Sequence, residues 1–425
     1  WKKTIFNPEL FTNAFSLVFN MKMRLSITLK LSLVWFVLAG MVLGRYTEPA
    51  FLIIATLFIM LQLNKVYVST SCLFVGTLFF FHSLSMVVYN GYDTGKLFQQ
   101  IVLLFTCVFC YYQIFRYCQI PVSEWFRRYV SLVYILSIIG IVQFVIMSAT
   151  QIDIFPYTLD GTMTQNTGRL HAMLMEPGSF TAFSIPAAAY VFLAPGFMKY
   201  NRMKSLVIGI ALILTLTTSM IVAVVIILFL KFYYYFKYLR IGLVVCFIVG
   251  VCWCINNRDI LSSSEYFVNP QLRAIQEKIT QTLSMVEYAE PEDFEHLNTS
   301  SYVILTNYWI AFNAPCRILG TGLGTHAQNY ERMYKSDFGG YGLNKDDAYS
   351  MFARLYSEFG VLGLCLYAFF LIRYYNKDNI ISLCLIVFFI SYLIKGGHYM
   401  LYGTAFFHIV YYFISPYKIN CFKKI

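Results

Sequence analysis

Long apolar runs are the feature that most limits what this chain can fold into. We identify about 12 of them, most close to or slightly below the roughly 20 residues that a helix needs to cross the hydrocarbon core of a bilayer. Backbone polar groups in lipid must be satisfied within the protein, so such runs are expected to be helices. They are residues 27–44, 49–63, 66–89, 97–115, 129–149, 179–198, 205–218, 220–236, 241–255, 351–375, 380–394 and 400–415.

The low charge content agrees with a membrane bundle. Only 12% of the 425 residues are charged, whereas 59% are hydrophobic; a soluble domain usually carries about 25% charge. Such a chain cannot cover a water-facing surface of ordinary polarity. We therefore predict an all-α integral membrane protein of about 12 transmembrane helices, with one large extracytoplasmic loop that contains short amphipathic helices.

The net charge of +11 is explained by orientation in the membrane. With the N-terminus inside, the inner connections are rich in Lys and Arg and poor in acidic residues, as the positive-inside rule requires. Both termini are then cytoplasmic, and no nucleic-acid partner is predicted. Residues 205–236 allow one long tilted helix or two short spans that meet near residues 217–219; we favour two, because one helix would place basic residues outside.

The predicted organisation has three parts. Residues 1–255 form an N-terminal transmembrane bundle of about nine spans with an outer loop at 150–178, residues 256–350 form a large periplasmic loop, and residues 351–425 form about three C-terminal spans. Connections of this length tend to carry function. Within the large loop, apolar residues recur at helical spacing over 270–287, which predicts an amphipathic helix on the membrane or on the bundle.

A glycine-rich segment lies in the large loop, where residues 320–324 read Gly-Thr-Gly-Leu-Gly. A nucleotide-binding loop needs a preceding strand and a following helix, and this context is absent. Two interpretations stay open. The segment is a tight turn, or it is a backbone wall in which Gly322 and Gly324 lie beside the phosphates of a lipid head group.

Ionisable residues gather where the predicted spans meet the outer loops. Arg169 and Glu176 precede one span, and a simple loop ion pair is an alternative explanation for them. A helix running from Asp347 would place Arg354 and Glu358 on the same face as that carboxylate. A central Arg or Asp costs about 2.5–3.5 kcal/mol on membrane-insertion scales. Arg354 and Glu358 are therefore predicted to form a structural ion pair, or to bind an anion.

The chemistry of these groups suits a phosphate-bearing lipid and a hydroxyl acceptor. The guanidinium fork of arginine binds phosphate oxygens two at a time, and carboxylates serve as general bases. A lone loop histidine such as His326 is more often structural than catalytic. No residue set points to a redox cofactor, a catalytic triad or a metal site. The outer arginines are Arg169, Arg317 and Arg354.

Three segments carry a resemblance to a known family. Residues 169–180 read Arg-Leu-His-Ala-Met-Leu-Met-Glu-Pro-Gly-Ser-Phe, residues 318–324 read Ile-Leu-Gly-Thr-Gly-Leu-Gly, and residues 347–364 read Asp-Ala-Tyr-Ser-Met-Phe-Ala-Arg-Leu-Tyr-Ser-Glu-Phe-Gly-Val-Leu-Gly-Leu. With these segments the chain resembles bacterial O-antigen polymerases of the Wzy type, within the O-antigen ligase/polymerase group of membrane glycosyltransferases.

The resemblance implies an activity at the outer face of the bacterial inner membrane. A growing glycan is moved from undecaprenyl diphosphate onto the next carrier-linked repeat unit, so that donor and acceptor are both undecaprenyl-diphosphate-linked oligosaccharides. No cofactor is implied. The partners are these substrates, the lipid bilayer and, as a further candidate, a chain-length regulator.

The same resemblance implies roles for individual residues. Three arginines would hold the diphosphates, and a carboxylate would be the base for the acceptor hydroxyl. Ligases of the group usually carry His-Asn where residues 347–349 read Asp-Ala-Tyr, which favours a polymerase. The alternatives are a ligase that transfers polymer to lipid A-core and a flippase without chemistry. The diphosphate-binding candidates are Arg169, Arg317 and Arg354; the base candidates are Glu176 and Asp347, with His171 and His326 in reserve.

Overall fold

Helices make up most of the described chain. The computed structural model describes residues 27–44, 47–63, 70–158, 163–164, 168–235, 240–257, 276, 281, 290–400 and 403–416. The α-helices are α1 (Ile27–Gly40), α2 (Thr47–Leu63), α3 (Thr70–Tyr89), α4 (Thr94–Cys118), α5 (Val122–Thr150), α6 (Pro177–Leu193), α7 (Phe197–Tyr200), α8 (Arg202–Leu214), α9 (Thr218–Tyr235), α10 (Arg240–Asn256), α11 (Thr299–Asn313), α12 (His326–Met333), α13 (Met351–Tyr374), α14 (Ile380–Ile394) and α15 (Thr404–Ile414).

The helical fold class is confirmed, and each predicted apolar segment overlaps at least one of these helices. In the described part of the chain, α4, α5 and α13 are long and apolar enough to cross a membrane, judged by length and composition. Several other helices are apolar but shorter. The topology of about 12 spans and the sidedness of the loops stay predictions.

The chain reverses direction between α8 and α9. Both helices pack along α6, and the turn between them lies beside Thr181 in the first turns of α6. The hydroxyl of Thr181 is 2.9 Å from the hydroxyls of both Thr215 and Thr217. The three buried hydroxyls pair with one another at the break between α8 and α9, as polar groups in an apolar surrounding must. The structure thus contains two helices, as we favoured from the sequence.

Aromatic side chains fill the interior where α4, α5, α6, α14 and α15 meet. Trp125 and Tyr129 of α5 are fully buried, and Tyr129 donates a hydrogen bond to the Phe183 carbonyl of α6. The rings of Phe406 and Phe407 in α15 lie against Tyr129, with centroids 6.0 and 5.2 Å away. Large buried rings pack α15 firmly against the rest of the bundle.

The longer polar connections between the helices meet at one end of the bundle. Arg332 of α12 donates to the Asn90 and Gly91 carbonyls at 2.9 and 2.5 Å, which ties the turn after α3 to the large loop. The Glu48 carboxylate accepts a hydrogen bond from the Gly403 amide at 3.2 Å, and this ties α2 to the turn before α15. We call this end the loop end: it comprises the described residues of 90–93, 151–176, 215–217, 290–350 and 395–403.

The large loop carries helices of its own. α11, α12 and a short 3-10 helix at Pro291–Phe294 lie between α10 and α13. α12 has one buried face, which contains His326 and Tyr330, and an opposite exposed face. The amphipathic helix predicted over 270–287 lies outside the described residues, except for Gln276 and Gln281.

Candidate functional site

A kink in α13 organises this end of the molecule. Gly360 adopts a φ of 61°, which interrupts the helix. The amides of Val361 and Leu362 donate instead to the carbonyls of Arg317 and Ile318, both at 3.0 Å. The kink therefore joins α13 to the segment that leads into the glycine loop.

The glycine segment also donates hydrogen bonds to α13, on the N-terminal side of the kink. The Thr321 amide donates to the Ser357 carbonyl at 3.1 Å, and the Gly322 amide donates to the Glu358 carbonyl at 2.8 Å. These are two of the carbonyls that the kink leaves without their usual partners in the helix. Residues 317–322 thus restore the backbone hydrogen bonds that Gly360 breaks, as an apolar environment requires.

Close packing explains the glycines at these positions. A side chain at Gly320 would overlap the backbone of Glu358 and Phe359, and Cβ at Gly322 would lie 2.7 Å from Val87 of α3. Both have positive φ angles, of 72° and 103°. This geometry favours the tight-turn interpretation, because the Gly322 amide already binds a carbonyl. A phosphate contact by Gly322 is therefore not supported.

The remaining glycine of the motif packs on α4. Cβ at Gly324 would lie 3.3 Å from both the Lys96 carbonyl and the Gln100 side chain. The phosphate contact predicted for Gly324 stays a prediction.

Arg354 and Glu358 form the ion pair at the centre of the loop end. Their side chains are 3% and 0% exposed, and the Arg354 Nε lies 3.2 Å from the Glu358 Oε1. Arg354 also donates from Nη1 to the Gly397 carbonyl at 2.9 Å and from Nη2 to Gln100 Oε1 at 3.4 Å. The guanidinium is occupied by protein groups, so the diphosphate contact predicted for Arg354 stays a prediction.

Tyr399 completes this ion pair. Its hydroxyl donates to Glu358 Oε2 at 2.9 Å, and its ring lies 4.1 Å from the Arg354 guanidinium carbon. A cation over an aromatic face and a hydrogen-bonded carboxylate both lower the cost of burying the charges. Arg354 therefore fixes the turn that carries Gly397 and Tyr399, between α14 and α15.

Asp347 does not belong to α13, contrary to the single helix considered from the sequence. The helix begins at Met351, and Ser350 caps it through a hydrogen bond from the Ala353 amide. The preceding residues Ala348 and Tyr349 have φ angles of 58° and 55°, which breaks any continuous helix. Asp347 nevertheless lies close enough to Arg354 to interact with its charge.

A second cluster of ionisable groups surrounds Asp347. Its Oδ2 lies 2.9 Å from His398 Nε2, and its Oδ1 accepts a hydrogen bond from the Tyr349 amide at 3.1 Å. Glu176 immediately precedes α6, without a capping hydrogen bond from its side chain, and it interacts electrostatically with Lys395 and with Asp347. The cluster therefore joins the loop before α6, the loop before α13 and the turn after α14.

The two carboxylates of this cluster differ in proton affinity. Burial works against the charge of Asp347, but His398, the Tyr349 amide and the charge of Arg354 together outweigh it and lower the pKa of Asp347 to about 2. Burial raises the pKa of Glu176; Lys395 opposes this rise, whereas the charge of Asp347 adds to it. Asp347 is therefore a weak base held in its charged form, and Glu176 takes a proton more readily.

Arg169 and Lys395 supply positive charge beside Glu176. Arg169 Nη1 donates to the Leu216 carbonyl at 3.4 Å, in the turn between α8 and α9. Burial lowers the pKa of Arg169, and the negative charge of Glu176 opposes this effect. The Lys395 ammonium lies 4.9 Å from the centre of the Tyr349 ring. Both cations keep part of their surface accessible.

His171 lies in a separate buried network. Its Nε2 is 2.7 Å from Asp153 Oδ2, and its Nδ1 is 2.9 Å from the Leu174 carbonyl. The Gln143 side chain accepts a hydrogen bond from the Ala172 amide at 2.8 Å. The imidazole is fully buried and shapes the loop before α6. This geometry supports a structural role, and a catalytic role for His171 stays a prediction.

The other two predicted groups also lie outside the Asp347 cluster. His326 is fully buried, with Nε2 3.0 Å from Asn307 Oδ1. Burial, aided by the charge of Arg354, lowers the pKa of His326 to about 3, so its imidazole is neutral. Arg317 has an exposed side chain, and its carbonyl accepts the hydrogen bond from the Val361 amide at the Gly360 kink. Their predicted roles as reserve base and diphosphate ligand stay predictions.

Sequence reasoning missed the contribution of the turn between α14 and α15. Lys395, His398 and Tyr399 all lie in this short connection, and Gln100 of α4 was missed as well. A signal was present, because residues 395–398 read Lys-Gly-Gly-His between two apolar runs. Two adjacent glycines allow a tight backbone approach: a side chain at Gly397 would overlap the Asp347 carbonyl.

An apolar cavity adjoins this site. It has a volume of about 410 Å³ and lies between α3, α4, α13 and α15. It reaches the surface at Val108, which is 42% exposed. Two polar atoms of its walls pair with each other, since the Tyr367 hydroxyl lies 3.1 Å from His408 Nε2. Tyr399 borders both this cavity and the buried Arg354 ion pair.

Comparisons with known proteins do not identify a family. No family model, no curated protein and no solved structure is found to match the chain.

Proposed function

We propose that the chain is a membrane glycosyltransferase that polymerises undecaprenyl-diphosphate-linked oligosaccharide repeat units into O-antigen or a similar surface polysaccharide. The observation that carries the proposal is one juxtaposition. Tyr399 borders both an apolar cavity and the buried Arg354–Glu358 pair, and the adjacent residue His398 contacts Asp347 in the cluster of cations and carboxylates. An amphiphilic substrate with an anionic head group and a hydrocarbon chain fits this pair of environments.

The two environments suggest how such a substrate binds. The cavity accepts part of the hydrocarbon chain, because its lining is almost entirely apolar. The diphosphate binds beside Arg169 and Lys395, the two cations of the cluster with accessible surface. Positive charge at this position stabilises the diphosphate as it leaves the sugar. Glu176 and Asp347 are the carboxylates available to the acceptor hydroxyl.

The proposal includes a topology. About 12 helices span the bacterial inner membrane, with both termini in the cytoplasm and the loop end in the periplasm. The gathering of polar connections at one end of the bundle supports this arrangement, because repeat units carried on a lipid would meet the ionisable groups of the Asp347 cluster on a single side. The large loop would then cover the site from the periplasmic side.

A genetic experiment tests the proposed function. The gene is deleted in its host, and the surface polysaccharide is separated on a gel after complementation with wild type, Arg169→Ala or Arg202→Ala. Arg202 is exposed at the opposite end of the bundle and serves as the matched control. We expect the deletion to leave lipid A-core capped with a single repeat unit. Wild type and Arg202→Ala restore the ladder, and Arg169→Ala does not at equal protein level.

Two other outcomes would replace the proposal. Bare lipid A-core together with polymer that remains on its carrier would identify a ligase. Absence of any repeat unit from the outer face would identify a flippase, and the assigned roles of the charged cluster would then be wrong.

A further inference from the structure

Two helices of the large loop form a hairpin that packs along α13. Its first limb is α11. The Tyr308 hydroxyl lies 3.0 Å from Ser350 Oγ, just before α13 begins. The Phe312 ring, one turn later in α11, lies against the ring of Tyr356 in α13, with centroids 5.3 Å apart. The first limb therefore runs from the start of α13 toward its middle.

The tip of the hairpin, which comprises residues 317–319, lies near the centre of α13. The amides of Val361 and Leu362 donate to the carbonyls of Arg317 and Ile318, both at 3.0 Å. Val361 is about ten residues beyond Met351, which corresponds to about 15 Å along a helix. The whole of α13 has 24 residues, or about 36 Å at the same rise. The tip is thus far from the end of α13 at which the hairpin starts.

The second limb, α12, returns the chain to that end. Asn329 Nδ2 donates to Ser357 Oγ of α13 at 2.9 Å. Arg332, further along α12, donates to the Asn90 carbonyl just after α3 at 2.9 Å. The two limbs therefore enter and leave on the same side of the bundle, as in a re-entrant segment.

Apolar side chains are exposed at the tip and on the helix beside it. Ile318 is 71% exposed, and Leu319, Val361 and Leu362 are exposed as well. This apolar surface continues along α13 to Phe369, which is 63% exposed. Since α13 is long and apolar enough to cross a membrane, the tip extends the surface that the lipid would cover.

The backbone of the turn is suited to hydrocarbon surroundings. Besides the bonds to α13 already described for Thr321 and Gly322, the Gly320 amide donates to the Cys316 carbonyl at 2.6 Å. The Gly322 carbonyl accepts from the Thr325 hydroxyl at 2.7 Å. Irregular backbone at membrane depth is tolerated only where protein groups satisfy it. In an ordinary surface loop water would serve these groups, so their pairing favours a tip within the membrane.

We propose that residues 299–333 form a re-entrant hairpin whose tip contacts the lipid acyl chains of the leaflet nearest the loop end. The exposed Arg317 fits this position, because its long side chain reaches from the acyl region to the phosphate head groups. Leu323 of the hairpin lines the apolar cavity, which places that cavity at the depth of the same leaflet. The inference goes beyond the proposed function and requires only that α13 crosses the membrane.

The test places a fluorescent amino acid at one position at a time in the otherwise unchanged full chain, by suppression of a stop codon. The protein is reconstituted in vesicles of phosphatidylethanolamine and phosphatidylglycerol. Its fluorescence is quenched either by bromine on the lipid acyl chains or by iodide in the water. The probe replaces Ile318 or, at the same level of α13, Leu362. Phe369 is the control for lipid, and the exposed Lys335 of the large loop is the control for water.

We expect brominated lipid to quench the probe at Ile318 within about twofold of the probe at Leu362, and iodide to quench it at least about fivefold less than the probe at Lys335. Strong quenching by iodide at Ile318 would overturn the inference. Protection from both quenchers would also overturn it, because protein rather than lipid would then cover the tip. If the probe at Phe369 is itself not quenched by brominated lipid, the proposed membrane topology fails instead, so the two failures are distinguishable.

Discussion

Replacing Arg354 with methionine would leave the Glu358 carboxylate buried without its cation. Both side chains are at most 3% exposed, so water cannot replace the guanidinium. Removing one partner of a buried ion pair costs about 3–5 kcal/mol, whereas replacing both by neutral groups of similar volume is often neutral. We therefore expect Arg354→Met to lower the free energy of unfolding by about 3 kcal/mol or more. Adding Glu358→Gln to Arg354→Met should recover most of that loss.

The assay is unfolding of the purified protein in mixed micelles by a titration with sodium dodecyl sulfate, followed by tryptophan fluorescence. The four proteins of the cycle give the coupling energy between Arg354 and Glu358. A coupling below about 1 kcal/mol would refute the reasoning, because the two losses would then simply add. The double variant is also expected to form no polymer, since the Gly397 turn has lost its hydrogen bond from Arg354.

Three further predictions concern other parts of the site. Gly322→Ala places Cβ 2.7 Å from a side chain of α3 and should destabilise the protein by about 1–3 kcal/mol in thermal unfolding; Gly339→Ala, with open space around it, should not. Leu355→Trp fills the cavity and should slow transfer from undecaprenyl carriers, while carriers with a very short prenyl chain react as before; equal slowing of both would contradict a role in chain binding. Glu176→Gln and Asp347→Asn should each abolish long chains at normal protein level, and a normal ladder from either variant would remove that residue from the mechanism.

The helices were predictable because apolar run length dominates their formation in this chain. Residues 380–394 were predicted as a helix and form α14 over that range. The start of α13 was harder to place, since positive φ angles at Ala348 and Tyr349 end any helix that would include Asp347. Local sequence favours a helix there, and the contacts of residues 347–350 with the turn after α14 override it.

The candidate site was predictable only in part. Glu176 and Asp347 were both placed at the outer ends of spans. They interact in the structure because those ends lie together at the loop end. His398 was missed because its partner is remote in sequence, and a single sequence does not reveal which loops touch. The backbone hydrogen bonds around Gly360 could not be predicted for the same reason, since they join residues 317–322 to α13.

The central claim is that this chain joins lipid-linked glycans to each other. The most direct measurement incubates the purified protein in liposomes with undecaprenyl-diphosphate-linked repeat units as the only substrate and analyses the extracted lipids by mass spectrometry. Our account predicts carrier-linked chains of two, three and more units, with release of free undecaprenyl diphosphate, in the absence of any nucleotide sugar. Repeat units that remain single in the presence of active, folded protein would contradict it, whether or not they cross the bilayer.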